Sequence, residues 1–166
     1  MIPVSPESPA NLPLSPAVPE PERPSGGAVS VGIVLVSHSR ALAEAAMDLA
    51  RRLIVAVDVP VELAAGLADG ALGTDPGLIV SVVEQLAARC TGVLVLADLG
   101  SGIMSAEMAL EMLDPAVADR VWLSAAPFVE GLLGAYGAAG IGKDLEAVVA
   151  EADGAAEAKR SQVAAL

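Results

Sequence analysis

The stretch "GIVLVSHSRALAEAAMDLARRL", Gly32 to Leu53, changes its period in mid-course. Together with the two residues before it, the opening "SVGIVLVS" is a near-continuous apolar run rich in β-branched side chains. That is the pattern of a strand covered on both faces by helices. From Arg40 the repeat becomes helical. Leu42, Ala45, Ala46, Leu49 and Leu53 share one face, and Glu44, Asp48, Arg51 and Arg52 lie away from it. At the junction stands His38, the single histidine among 166 residues.

Working outward, the same alternation recurs. "VPVELAAG" reads as a shorter strand, and "GTDPG" as a helix start in which Thr74 or Asp75 caps and Pro76 suits the first turn. In "LIVSVVEQLAARC", Ile79, Val82, Val83 and Leu86 line one side. "TGVLVLADLG" is a second buried strand, and "SGIMSAEMALEML" is a helix stopped near Asp114-Pro115. "RVWLSAA" reads as a fourth strand, followed by the glycine-rich helix "PFVEGLLGAYGAAG" and a last helix "KDLEAVVAEA". Alternation of this kind predicts an α/β fold: a doubly wound, mainly parallel four-stranded sheet, order 2-1-3-4, with helices on both faces.

Composition sets the limits. Residues 1–29 hold eight of the twelve prolines and show no apolar periodicity, so they read as a disordered, proline-rich tail without the features of a signal peptide. The domain is expected over residues 30–154, and 155–166 as a C-terminal tail. The chain is 54% hydrophobic, but its apolar residues come in short runs, none long enough to span a bilayer. A net charge of −12 without any Lys/Arg cluster argues against nucleic-acid binding. A lone Cys90 forms no internal disulfide and suits a cytoplasmic home, where it reads as a small buried hydrophobe.

In doubly wound sheets, ligands collect beyond the carboxyl ends of the strands where the strand order reverses. His38 lies just past the first strand. Asp98 closes the third, and Gly100-Ser101-Gly102 opens the helix after it. The order 2-1-3-4 makes those two strands neighbours. A neutral imidazole is a good nucleophile near pH 7, and a nearby carboxylate can hold its tautomer and stabilise its cation. Backbone N–H groups in a Gly-Ser-Gly turn entering a helix form an anion site. Together these residues fit a phosphoryl acceptor. Plainer readings stand beside that one: His38 as a hydrogen-bonded surface residue, Asp98 as a loop or capping acid, and Ser101 as an N-cap.

Other chemistries fit less well. A hydrolytic Ser-His-Asp arrangement is conceivable, but "LGSG" is not the Gly-x-Ser-x-Gly elbow. One histidine and one cysteine offer few soft metal ligands, and Glu107 and Glu111 read as a solvated helix face. Met104, Met108 and Met112, at i, i+4 and i+8, read as core or as a partner-facing stripe. The glycines of "GLLGAYGAAGIG" lack the strand and spacing of a dinucleotide site and read as close helix packing.

Four segments in register, "VSHSRALAEAA", "GTD", "ADLGSGIMSAEMALEML" and "SAAPFVEGLLGA", resemble the phosphoryl-carrier subunits of phosphoenolpyruvate-dependent dihydroxyacetone kinases. Those subunits are built on the mannose-type IIA domain of the sugar phosphotransferase system. The resemblance covers roughly Val31 to Asp153. It implies a homodimeric, cytoplasmic carrier without cofactor, membrane or nucleic-acid partner. It implies that His38 accepts a phosphoryl group from HPr and passes it to ADP on a nucleotide-binding kinase subunit. The ATP so formed phosphorylates dihydroxyacetone on a third subunit. By the same resemblance Asp98 orients His38, and Gly100, Ser101 and Gly102 bind the phosphoryl group. Ser39 and Thr74 fall at the rim, and "PFVEG" near a docking side. Some relatives carry fused HPr-like and enzyme-I-like domains. This sequence shows no second histidine, so a separate protein is expected to be the donor. Two further readings share the fold: a IIA component of a mannose-type sugar importer, and a non-catalytic regulatory module.

Overall fold

The computed structural model describes residues 29–55 and 57–166. The segment read as a proline-rich tail lies outside the described residues, apart from Val29. Strand β1 (Val29–Ser37) leads into helix α1 (Arg40–Leu53), β2 (Val61–Ala65) into α2 (Pro76–Ala87), and β3 (Cys90–Ala97) into α3 (Gly100–Met112). After a single turn, α4 (Pro115–Ala118), come β4 (Val121–Ser124), α5 (Phe128–Gly140) and α6 (Leu145–Ala164). The sheet order is β2-β1-β3-β4, and every pairing is parallel, in agreement with the fold class and order read from the sequence.

The sheet divides the core by strand parity. Val31, Ile33 and Leu35 of β1 point to the side of α1, α5 and α6. Val34 and Val36 point to the side of α2 and α3. Both faces of β1 and β3 are covered, which is why their sequences read as continuous apolar runs rather than alternations.

Helix starts follow local chemistry. Ser39 caps α1 through the Leu42 N–H, Asp75 caps α2 through the Gly77 N–H with Pro76 in its first turn, and Asp144 caps α6. Of the two candidates for α2 it is Asp75 that caps, and Thr74 turns elsewhere. The sequence marks Asp114-Pro115 only as a helix stop, and the structure adds the short α4 there. Asp114 accepts from the Ala116 N–H and Pro115 pre-sets the turn, so the stop signal of one helix also starts another.

Two local readings change in three dimensions. On α1 the buried residues are Ala43, Ala46 and Ala50, whereas Leu42, Leu49 and Leu53 are exposed. Helical period grouped the leucines correctly, but α1 lies against β1, β2 and α5, where its small alanine face permits close approach. The leucines are left on the flank. The second difference is at the carboxyl end. Residues 155–164 continue α6 instead of leaving it, in keeping with their Ala, Glu, Lys and Arg content. Lys159 of that stretch pairs with Glu130 of α5.

The glycines of α5 serve helix packing. A Cβ on Gly134 would lie 2.7 Å from the Glu151 carbonyl oxygen of α6, and one on Gly131 would lie 2.6 Å from the Cβ of Ala126. Gly134→Ala gains helix propensity, about 1 kcal/mol, yet must push two backbones apart. It is expected to lower stability by roughly 1–3 kcal/mol in urea unfolding, the opposite sign to propensity alone.

Candidate active site

Beyond the carboxyl ends of β1 and β3, three segments converge. β1 delivers Ser37 and His38, β3 delivers Asp98, and α3 begins at Gly100. The Asp98 N–H donates to the Val36 carbonyl at 3.1 Å, carrying the sheet ladder to the edge of the site. The register that pairs Val36 with Ala97 places the next residues of each strand, Ser37 and Asp98, side by side.

The Asp98 carboxylate is saturated with donors. Its Oδ2 accepts from the Ser37 hydroxyl at 2.8 Å and from the His38 backbone N–H at 2.9 Å. Its Oδ1 meets His38 Nδ1 at 2.9 Å. The Asp98 side chain is 5% exposed and that of His38 is 23% exposed. Burial by itself would raise the Asp98 carboxyl. The bonds from the His38 ring, the His38 N–H and Ser37 outweigh it and hold the carboxyl below its usual range.

A carboxylate only accepts, so Nδ1 carries the proton and the neutral ring keeps its lone pair on Nε2. Nε2 lies 2.7 Å from the Ser101 hydroxyl, which donates to that lone pair. Ser101 is therefore not the cap of α3. The N-cap position is Leu99, whose side chain has no capping oxygen, so no capping side chain takes up the N–H groups of the first turn. A helix start of this kind favours an anion.

Gly102 makes the approach possible. A Cβ there would lie 3.1 Å from Asp98 Oδ1 and 3.7 Å from His38 Cε1. Any side chain would press on the oxygen that holds the imidazole.

Of the other candidates, Ser39 is occupied in capping α1. Thr74 bonds the Ser105 hydroxyl of α3 at 2.7 Å, tying the β2–α2 loop to α3, and the Gly73 N–H reaches the His38 carbonyl at 2.9 Å. The side-chain hydrogen bonds of Ser39 and Thr74 go to Leu42 and Ser105, not to the His38 ring. In the "PFVEG" segment, Pro127 precedes α5 and Glu130 in its first turn is paired with Lys159. Among the described residues no cluster of His, Cys, Asp and Glu could hold a metal ion.

Ser37 was not singled out from the sequence. It is fully buried, donates to Asp98, and accepts from the Ser39 N–H at 3.1 Å. A signal was present: a hydroxyl ending an otherwise apolar buried strand needs a partner. The sequence does not say which.

A family model described as EIIA-man, the PTS system fructose IIA component, matches residues 32–149. The phosphoryl donor subunit DhaM of the PEP-dependent dihydroxyacetone kinase of Klebsiella michiganensis is 42% identical over 135 residues. The subunit of that name from Escherichia coli (strain K12) shows the same identity over the same length. The match takes in 80% of this chain but 28% of each of those two relatives, so this chain spans under a third of their length. The phosphoryl donor subunit DhaM of PEP-dependent dihydroxyacetone kinase 2 of Listeria innocua is 33% identical over 124 residues, 73% of this chain and 95% of that relative. A crystal structure of a protein of unknown function superposes with a TM-score of 0.68 at 31% identity, covering 75% of this chain and 93% of that one.

Two outcomes follow from the carboxylate's surroundings. Because the folded-state carboxyl lies below its unfolded value of about 3.9, Asp98 adds stability that is complete above the ordinary range and lost as pH falls through it. The stability gap between the unmodified chain and Asp98→Asn should therefore narrow on acidification from about pH 6 to about pH 3, read by thermal melts. In Ser37→Ala the Asp98 carboxyl, one donor poorer, should titrate higher by carbon NMR, and Ser37→Thr should restore it.

Proposed function

The chain belongs to the family of the PTS system fructose IIA component, with DhaM-type phosphoryl donor subunits among its relatives, and from that membership we propose that it is a phosphohistidine carrier with His38 as the covalent site. One observation carries the reading. His38 Nε2 meets the Ser101 hydroxyl in the first turn of α3 while Nδ1 is held by a buried, ionised Asp98.

The step follows from those positions. The Nε2 lone pair attacks the phosphorus of a donor phosphohistidine. A new N–P bond forms, and the donor's N–P bond breaks with its electron pair returning to the donor ring. The His38 ring gains positive charge, which Asp98 offsets at Nδ1. The Ser101 hydroxyl gives up Nε2 and turns its proton to a phosphoryl oxygen, and the first-turn N–H groups of α3 take the remaining negative charge. The reverse sequence passes the group on. The donor is HPr and the acceptor is ADP held on a nucleotide-binding kinase subunit, which in turn serves a dihydroxyacetone-binding subunit. The carrier works as a homodimer in the cytoplasm. The names of the relatives support this kinase branch over a sugar importer.

A second reading draws on the same contacts. Asp98, His38 and Ser101 stand in one hydrogen-bonded line, the arrangement of a Ser-His-Asp hydrolase with Ser101 as nucleophile. Ser101, however, lies within regular helix as the second residue of α3, not on a strained strand-to-helix elbow. Family membership also weighs for the carrier.

The two readings separate cleanly. Incubation with phosphoenolpyruvate, enzyme I and HPr should add one acid-labile phosphoryl group by intact mass. His38→Ala should abolish it. Ser101→Ala should still be phosphorylated on His38, roughly 10–1000-fold more slowly for the lost hydrogen bond. An acid-stable adduct that disappears with Ser101→Ala would make Ser101, not His38, the nucleophile.

A further inference from the structure

Helix α3 has two ends with different tasks. Its first turn touches His38, and its outer side carries Met104, Met108 and Met112, exposed by 68%, 55% and 60%. The sequence left these thioethers as core or partner-facing; the fold rules out the core. They lie at i, i+4 and i+8, and Ser101 stands three residues before Met104, so helical spacing makes one ridge from the Nε2 contact outward. Anything that exchanges a phosphoryl group with Nε2 must sit over the head of this ridge.

The charged side chains of α2 and α3 are all of one sign. Neither α2 nor α3 contains Lys or Arg, while Glu84, Glu107 and Glu111 are exposed on them. Two copies of this face brought together about a two-fold axis would set Glu107 and Glu111 against their own equivalents with no cation to offset them. The occupant that fits is apolar at its centre and basic at its edge. By contrast, the exposed leucines of α1 lie among charges of both signs, with Arg40–Glu44 and Asp48–Arg52 paired and Arg51 beside them, so a surround of carboxylates alone does not recur there.

We propose that the Met104–Met108–Met112 ridge with its Glu107 and Glu111 flank is the docking face for the phosphoryl-donating protein, which covers it with an apolar patch ringed by Lys or Arg. This rests on the carrier reading above. Thioether side chains are polarisable and adaptable, which suits a surface that must form and release a complex at every turnover. The flanking carboxylates steer a basic partner and set its orientation.

The test uses the full chain with two donors. Phospho-HPr, made from phosphoenolpyruvate and enzyme I, reads docking and chemistry together; phosphoramidate, a small donor, reads the reactivity of His38 alone. Met104→Ser with Met108→Ser is expected to raise the half-saturating concentration of phospho-HPr by about tenfold or more. Glu107→Lys with Glu111→Lys should slow transfer at low salt and flatten its dependence on ionic strength. Labelling by phosphoramidate should be unchanged in both variants. Transfer from phospho-HPr as efficient in the variants as in the unmodified chain overturns the docking face alone. So does a change in the sedimenting mass of the methionine variant, which would make the ridge a contact between copies. No transfer from phospho-HPr to the unmodified chain overturns the carrier reading and the docking face with it.

Discussion

The hydrogen bond between His38 Nδ1 and Asp98 Oδ1 joins residues 60 apart in sequence, and the site depends on it. It exists because β1 and β3 are parallel neighbours whose register brings Ser37 and Asp98 side by side at the same edge. Everything at the site then follows from satisfying one carboxylate. Ser37 and the His38 N–H fill Oδ2, the ring fills Oδ1, and the proton is thereby fixed on Nδ1. The opposite nitrogen is left to face α3. A buried acid with fewer donors would be raised by desolvation and would lose its hold on the ring.

The same site explains a choice made in α3. A helix that must approach a carboxylate and an imidazole closely needs glycine where it does so, and Gly102 stands there. A helix that must leave its first N–H groups free does better without a capping side chain, and Leu99 stands at the cap position. Both choices weaken the helix locally. Burial of Ala106 and Ala109 against the sheet, together with the Thr74–Ser105 bond to the neighbouring loop, secures it instead.

Much of this was legible in the chain. Continuous β-branched runs alternating with helical periods imply parallel strands covered on both sides, and the observed order β2-β1-β3-β4 is the one that pattern predicts. The nearness of His38, Asp98 and the Gly-Ser-Gly segment follows from that order. Side-chain assignments were less legible. Ser101 has the residue type of a cap but meets the imidazole, and nothing local in the sequence marks Ser37 as the buried partner of Asp98. A hydroxyl can cap a helix, bond a carboxylate or meet a ring, and its type alone does not select among them.

What the sequence determined by itself was period and punctuation: where strands give way to helices, which residues cap or stop them, and which lone chemical groups stand at the junctions. These are properties of neighbours within a few residues, set by backbone sterics and local hydrogen bonding. Tertiary structure alone decided which apolar face goes inside. Leu42, Leu49 and Leu53 share a helix face as clear as any in the chain, yet Ala43, Ala46 and Ala50 pack against the core and the leucines stay outside. It also decided the proton. The tautomer of His38 is fixed by Asp98 across the sheet, because a carboxylate held by two other donors turns its remaining oxygen to one nitrogen of the ring and leaves the other free.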